Sequence, residues 1–196
     1  MQDHITEQEL KERLSLIERM IAEGRRNTEK WGWMFVLWGV AYYLAIAWSM
    51  RDHSVWAWPA TMLIALIVTV VVASLQAGHH PKTTLSRAIG SIWIALGISM
   101  FLLFLALGLS GRLTDQHLFV AAISAILGMA NGASALILRW KVQFACAVVW
   151  WMAAVATCFG TDAQSMTVFL VAVFFCQIVF GIYGMIAQAH RGPIDA

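Results

Sequence analysis

The sequence predicts an all-α polytopic membrane protein, with six transmembrane helices in a bundle preceded by a cytoplasmic amphipathic helix. Three observations carry that reading. Of the 196 residues 60% are hydrophobic and 12% charged, with a mean hydropathy of +0.72, a balance that excludes a water-soluble globular domain. The Asp, Glu, Lys and Arg residues leave six uncharged intervals, 31–50, 53–81, 88–111, 116–138, 142–161 and 163–190, each 20 to 29 residues long. A helix needs about 20 apolar residues to cross a hydrocarbon core roughly 30 Å thick, and a barrel strand only about 10, so each interval is one helical span. Finally, eleven Lys and Arg residues fall in the N-terminal segment, the second and fourth connections and the C-terminal tail, whereas Arg51 and Arg112 alone fall in the others. The positive-inside rule then places both termini in the cytoplasm.

Residues 1–30 form the cytoplasmic helix. Thr6, Glu7, Gln8 and Glu9 make a capping box flanked by Ile5 and Leu10 as a hydrophobic staple, which starts the helix at Thr6. Glu7 with Lys11 and Glu9 with Arg13 are four-residue ion pairs in the favourable order. Leu10, Leu14, Ile17 and Ile21 follow 4-3-4 spacing and give one apolar seam, with Leu16 and Met20 beside it. Something must cover that seam: the membrane interface, the inner ends of the spans, or another protein chain through a two-heptad contact. The segment carries six bases and seven acids, whereas a helix that binds lipid unaided is usually basic on its polar face, which tilts the balance toward protein. Gly24 is expected to weaken the helix before Arg25, Arg26 and Lys30 anchor the first span at the headgroups. No cleavable signal peptide is apparent in the charged segment, and the first span is expected to act as its own insertion signal.

The membrane domain covers residues 31–190, with spans at about 31–50, 55–76, 88–109, 117–138, 142–160 and 164–188, followed by a cytoplasmic tail at 191–196. Trp31, Trp33, Trp48, Trp56, Trp58 and Trp140 fall where interfacial rings are expected. Tyr42 and Tyr43 lie mid-span in the first helix and Trp150 and Trp151 in the middle of the fifth; they either pack the core or line an aromatic cavity. Small-residue pairs seven apart recur in the odd spans, Gly32 with Gly39, Gly90 with Gly97 and Ala147 with Ala154, as though three helical hairpins were repeated. The fourth span carries Ser124, Gly128 and Gly132, a small-xxx-small row that permits close helix packing in lipid and places this span at the bundle centre. Asn131 and Gln177 are amides deep in the spans. They act as interhelical glue or, together with Tyr42 and Trp151, as an intramembrane polar site.

No Asp, Glu, Lys or Arg lies inside a span, which argues against proton-coupled transport and intramembrane hydrolysis. There is no phosphate-binding loop, dinucleotide fingerprint or HExxH motif, so no catalytic, cofactor-binding or metal-binding residue is expected and the chain reads as a non-enzyme. Asp52 with His53, Asp115 with His117 and Asp162 after Thr161 recur in the outer loops. Convergent loops would make a metal site, but each Asp stands where an even-numbered span begins, and helix capping is the better account. On the cytoplasmic side His79 and His80 end the second span and His190 ends the sixth, where they are expected to complement the helix dipoles and be solvated at the interface. Cys146, Cys158 and Cys176 lie in spans and serve as reduced apolar fillers. A net charge of +2 gives no indication of a nucleic-acid partner.

The run Leu16-Ile17-Glu18-Arg19-Met20-Ile21, with Trp38-Gly39, Trp58-Pro59 and Ser91-Ile92-Trp93-Ile94-Ala95-Leu96-Gly97-Ile98-Ser99, resembles an uncharacterised family of bacterial six-span membrane proteins often encoded beside small winged-helix regulators. The chain is also similar, in size and hairpin repetition, to the acid-resistance HdeD-like six-span proteins. The first resemblance implies a bacterial inner membrane and a regulatory setting, and it carries no catalytic residue. The expectation is a regulatory or scaffold protein in contact with the bilayer, whose N-terminal helix binds a second copy or a cytoplasmic protein. The alternative is a channel or facilitator for a small neutral solute.

Overall fold

The computed structural model describes residues 7–52, 56–76, 84–110 and 115–190, and every regular element among them is helical. In chain order these are α1 (Glu7–Lys30), α2 (Gly32–Asp52), α3 (Ala57–Gln76), α4 (Thr84–Leu109), α5 (Gln116–Leu138), α6 (Lys141–Thr157) and α7 (Asp162–His190). Within α7 the segment Phe174–Val179 is π-helical. Five helices, α2, α3, α4, α5 and α7, are long and apolar enough to cross a membrane, whereas α6 is apolar but has 17 residues. The chain is an all-helical protein of multi-pass membrane type.

Along α1 the Glu7–Lys11 and Glu9–Arg13 pairs close at 2.7 Å each. The capping box at Thr6 and the staple residue Ile5 lie outside the described residues. Gly24, expected to weaken the helix, does not interrupt it. It is the point at which α1 meets the bundle: a Cβ there would stand 2.7 Å from Leu138 Cδ2 and 2.9 Å from Leu85 Cδ2. After one turn residue, Trp31, the chain continues as α2.

The core is formed by α2, α5, α6 and α7. The tightest pair is the antiparallel hairpin of α5 and α6, joined by Arg139 and Trp140 alone. Arg139 takes a left-handed conformation (φ 49°) that is usually glycine's, and its N–H donates to the last turn of α5. Along the small row of α5 the neighbouring surface is the Trp151 indole, which lies against Gly128 and Gly132. Across the core, Tyr42 packs edge-on against Phe169 (5.7 Å between centroids), Phe169 meets Trp150 (6.1 Å), and the Tyr43 hydroxyl donates to Leu170 O at 2.8 Å.

The remaining two apolar helices are peripheral. α3 leans on α2, tied by Trp38 Nε1 donating to Thr69 Oγ1 at 3.2 Å, and buries only Ala57 and Ala65. α4 touches α5 and α1, and its Trp93 reaches α2, edge-on to Phe35 at 5.2 Å. Their exposed faces, including Ile64, Ile67, Ile94 and Phe101, form the apolar surface suited to lipid.

Several sequence expectations change. Trp48 and Trp56 are exposed as interfacial rings should be, but Trp140 is buried, its ring 5.3 Å from that of Phe180 in α7. The three small-residue pairs have unlike surroundings: Gly32 and Gly39 are in close contact with α7, Ala147 is buried, and Gly90 and Gly97 face open space. Asp52 ends α2, 3.9 Å from Arg51, and does not begin a helix.

Candidate functional site

Three regions hold the residues singled out by the sequence: the free half of α1, the polar interior between α5, α6 and α7, and the bundle end where α5, α6 and α7 start or finish.

Leu10, Leu14 and Ile17 are each 52% exposed, Leu16 is exposed as well, and Ile21 is half-buried. The rest of the bundle therefore leaves most of the seam uncovered. The other half of α1 is fixed. Gly24, Thr28 and Glu29 are buried, Asn27 Nδ2 donates to Ser86 Oγ at 2.7 Å, and Arg25 donates through Nε to Leu138 O at 2.6 Å and through Nη2 to Arg139 O. The carbonyls at a helix C-terminus lack intrahelical partners and carry partial negative charge, so a guanidinium satisfies both their geometry and their charge. Arg25 was expected at the headgroups. In the structure it couples α1 to the α5–α6 turn, a contact that sequence could not disclose because its partners lie 113 and 114 residues away.

In the interior, Asn131 is fully buried; its Nδ2 donates to Leu127 O at 2.9 Å, and its Oδ1 has no partner. Gln177 is buried in the π-helical segment with its Cβ facing Gly39. Tyr42 sits in the aromatic core, and Trp151 lies on the outer side of α6 over Gly128 and Gly132, half-exposed and edge-on to Phe144. Tyr42 and Trp151 thus have different neighbours and do not wall a common space. Ser124 is buried without a partner for its hydroxyl, as are Ser134, Gln143 and the Trp150 Nε1. Gln143 was missed in sequence, although Gln143, Trp150 and Thr157 recur at sevens along one face of α6, which is the periodic signal of an inward polar stripe. Cys146 and Cys176 are buried and free, with Cys176 Sγ 3.6 Å from Cys146 O, while Cys158 is exposed at the end of α6.

At the far end of the bundle, Asp115 caps α5 by accepting from Leu118 N at 3.0 Å, as the sequence predicted. For α7 the cap is Thr161, not Asp162. Thr161 and Gln164 form a reciprocal capping box, a Thr-x-x-Gln pattern legible in the sequence, which frees Asp162 to turn toward α5. There His117 Nε2 lies 2.7 Å from Asp162 Oδ1, and His117 Nδ1 lies 2.7 Å from Thr157 O, the carbonyl that ends α6. Ser165 Oγ stands 3.0 Å from the same Nδ1 and 3.3 Å from Thr157 O, and Gln116 Nε2 donates to Asp162 O at 2.8 Å. No spacing rule brings Thr157, Asp162 and Ser165 to His117, so this cluster was visible only in part.

A serine, a histidine and an aspartate in line invite comparison with a nucleophilic triad. Two features argue against that chemistry. Ser165 is 1% exposed, closed to a substrate carbonyl, and its hydroxyl also lies 3.3 Å from Thr157 O, an acceptor that competes with Nδ1 for its hydrogen. Among the described residues no group of three or more His, Cys, Asp or Glu side chains is placed to hold a metal ion. No known protein family, curated protein or solved structure matches the chain.

Proposed function

We propose that the chain is a non-enzymatic regulatory or scaffold protein of the bacterial inner membrane, with six spans, cytoplasmic termini, and an amphipathic α1 that binds a second copy or a cytoplasmic protein. One observation carries this reading. The apolar face of α1 is exposed at Leu10, Leu14 and Ile17, while the same helix is clamped to the bundle from Gly24 onward, which is the layout of an arm held out from a membrane anchor. The balanced charge of residues 1–30 favours protein over lipid as the covering surface. A photo-reactive amino acid at Ile17 in intact membranes is expected to yield protein adducts. Lipid adducts alone would contradict the proposal.

The sixth span in this reading is α6. Its 17 residues rise about 26 Å, a little short of a 30 Å core. It is nevertheless packed antiparallel along α5, with Ala147 opposite Gly132 and Trp151 opposite Gly128, so a crossing by α5 is matched by a return of α6. For orientation, impermeant thiol reagents applied outside are expected to label Ala163→Cys and to miss Lys141→Cys; the reverse pattern would overturn it.

A second reading, a facilitator for a small neutral solute, is favoured by one observation. The interior side chains of Ser124, Asn131, Ser134, Gln143 and Trp150 hold polar atoms without partners, and such groups ordinarily bond water or one another. Solute uptake by vesicles carrying the purified protein, abolished by Asn131→Leu, is the result that would favour this reading over the first.

A further inference from the structure

From the bond geometry around His117 we infer that the far end of the bundle is closed by a proton-operated latch, in which the His117 imidazolium holds the end of α6 to the starts of α5 and α7. The inference is independent of what α1 binds. Both ring nitrogens face acceptors at 2.7 Å: Nδ1 the Thr157 carbonyl, Nε2 the Asp162 carboxylate. A carbonyl and a carboxylate cannot donate, so both contacts are hydrogen bonds only when both nitrogens carry hydrogen, and that species is the cation. The charges bearing on the ring are the carboxylates of Asp162 on α7 and Asp115 on α5, both of the sign that suits it, and α6 contributes the negative end of its helix dipole through Thr157 O. The ring is 34% exposed, so protons reach it.

Loss of one proton to solvent rearranges three bonds. Nε2 keeps its hydrogen and its bond to Asp162, while Nδ1 becomes an acceptor facing the Thr157 carbonyl, a repulsive contact. The Ser165 hydroxyl, which lies 3.0 Å from Nδ1 and 3.3 Å from Thr157 O, then turns to donate to Nδ1. Thr157 O thereby loses both donors at once, and the C-terminus of α6 is released. Because the bonded state is the protonated one, the latch is complete at low pH and is lost as pH rises through the range in which the folded protein gives up this proton; an unperturbed histidine does so near 6.5. Of all residue types, only histidine supplies that change near neutrality from an ordinary side chain.

The test compares the full-length protein with His117→Gln and Asp162→Asn in lipid nanodiscs from pH 5 to 8.5. The wild type is expected to melt about 2–4 °C above His117→Gln at pH 5.5, with the gap closing by pH 8. Amides of residues 156–165 are expected to lose protection over the same interval after correction for intrinsic exchange. Asp162→Asn can accept from or donate to Nε2, so it should keep the fold and flatten the pH profile, which secures the test if His117→Gln folds poorly. Wild-type and variant profiles that run parallel throughout, or wild-type protection at 156–165 that does not change with pH, would overturn the latch.

Discussion

Gly181→Ala is expected to destabilise the bundle by about 2 kcal/mol, whereas Gly184→Ala, one turn further along the same helix, is expected to be neutral or stabilising. At Gly181 an added Cβ would stand 2.6 Å from Gly32 O and 3.0 Å from Val36 N, and at Gly32 it would stand 2.6 Å from Gly181 O. These are backbone atoms of α2 and α7 in mutual contact, so they cannot be turned aside as a flexible side chain can; the two helices must separate. Overpacking of this kind costs about 1–3 kcal/mol or more, against a gain of about 1 kcal/mol in helix propensity when alanine replaces glycine. At Gly184 the nearest atoms are Glu29 O at 3.5 Å and Gly32 Cα at 3.6 Å, ordinary contact, and the propensity gain is unopposed. Thermal unfolding in detergent checks the pair: opposite signs of the Tm shift are expected, and equal losses would show that the α2–α7 contact is not the tight one.

This contact also marks the limit of what sequence could disclose. Gly32 and Gly39 were visible as a small-residue pair and do receive a helix; Gly90 and Gly97 were equally visible, and their face is open. A small residue permits close approach without specifying a partner, and the partner depends on which helix arrives. The helices themselves were legible because lipid enforces long uncharged runs and charge marks their ends. Contacts between distant chain segments were not. Arg25 read as a headgroup anchor because arginines near span ends usually are, and only the fold brings it to the carbonyls of Leu138 and Arg139. At the other end the composition showed Asp115, His117 and Asp162 near helix starts, and capping explained the first. It did not explain Asp162, since Thr161 and Gln164 had already satisfied the α7 terminus and left that carboxylate for His117.

The 4-3-4 seam was the most explicit periodic signal in residues 1–30, and in the continuous helix α1 its Leu10, Leu14 and Ile17 stand uncovered. Association through that seam would bury these side chains, each fully buried Leu or Ile contributing about 1.5–3 kcal/mol. Replacing Leu14 and Ile17 by Asp removes that contribution and places two carboxylates where burial without partners costs several kcal/mol. Since about 1.4 kcal/mol is tenfold in an equilibrium constant, association should fall by at least a hundredfold. Neither residue touches the clamp at Gly24 to Glu29, so insertion and thermal stability of the spans should be retained. Chemical crosslinking in native membranes, with wild type and Leu14→Asp/Ile17→Asp at matched expression, tests the scaffold account most directly. It predicts that adducts present in the wild type disappear while the variant stays in the membrane with an unchanged Tm. The same adducts in both proteins would contradict it.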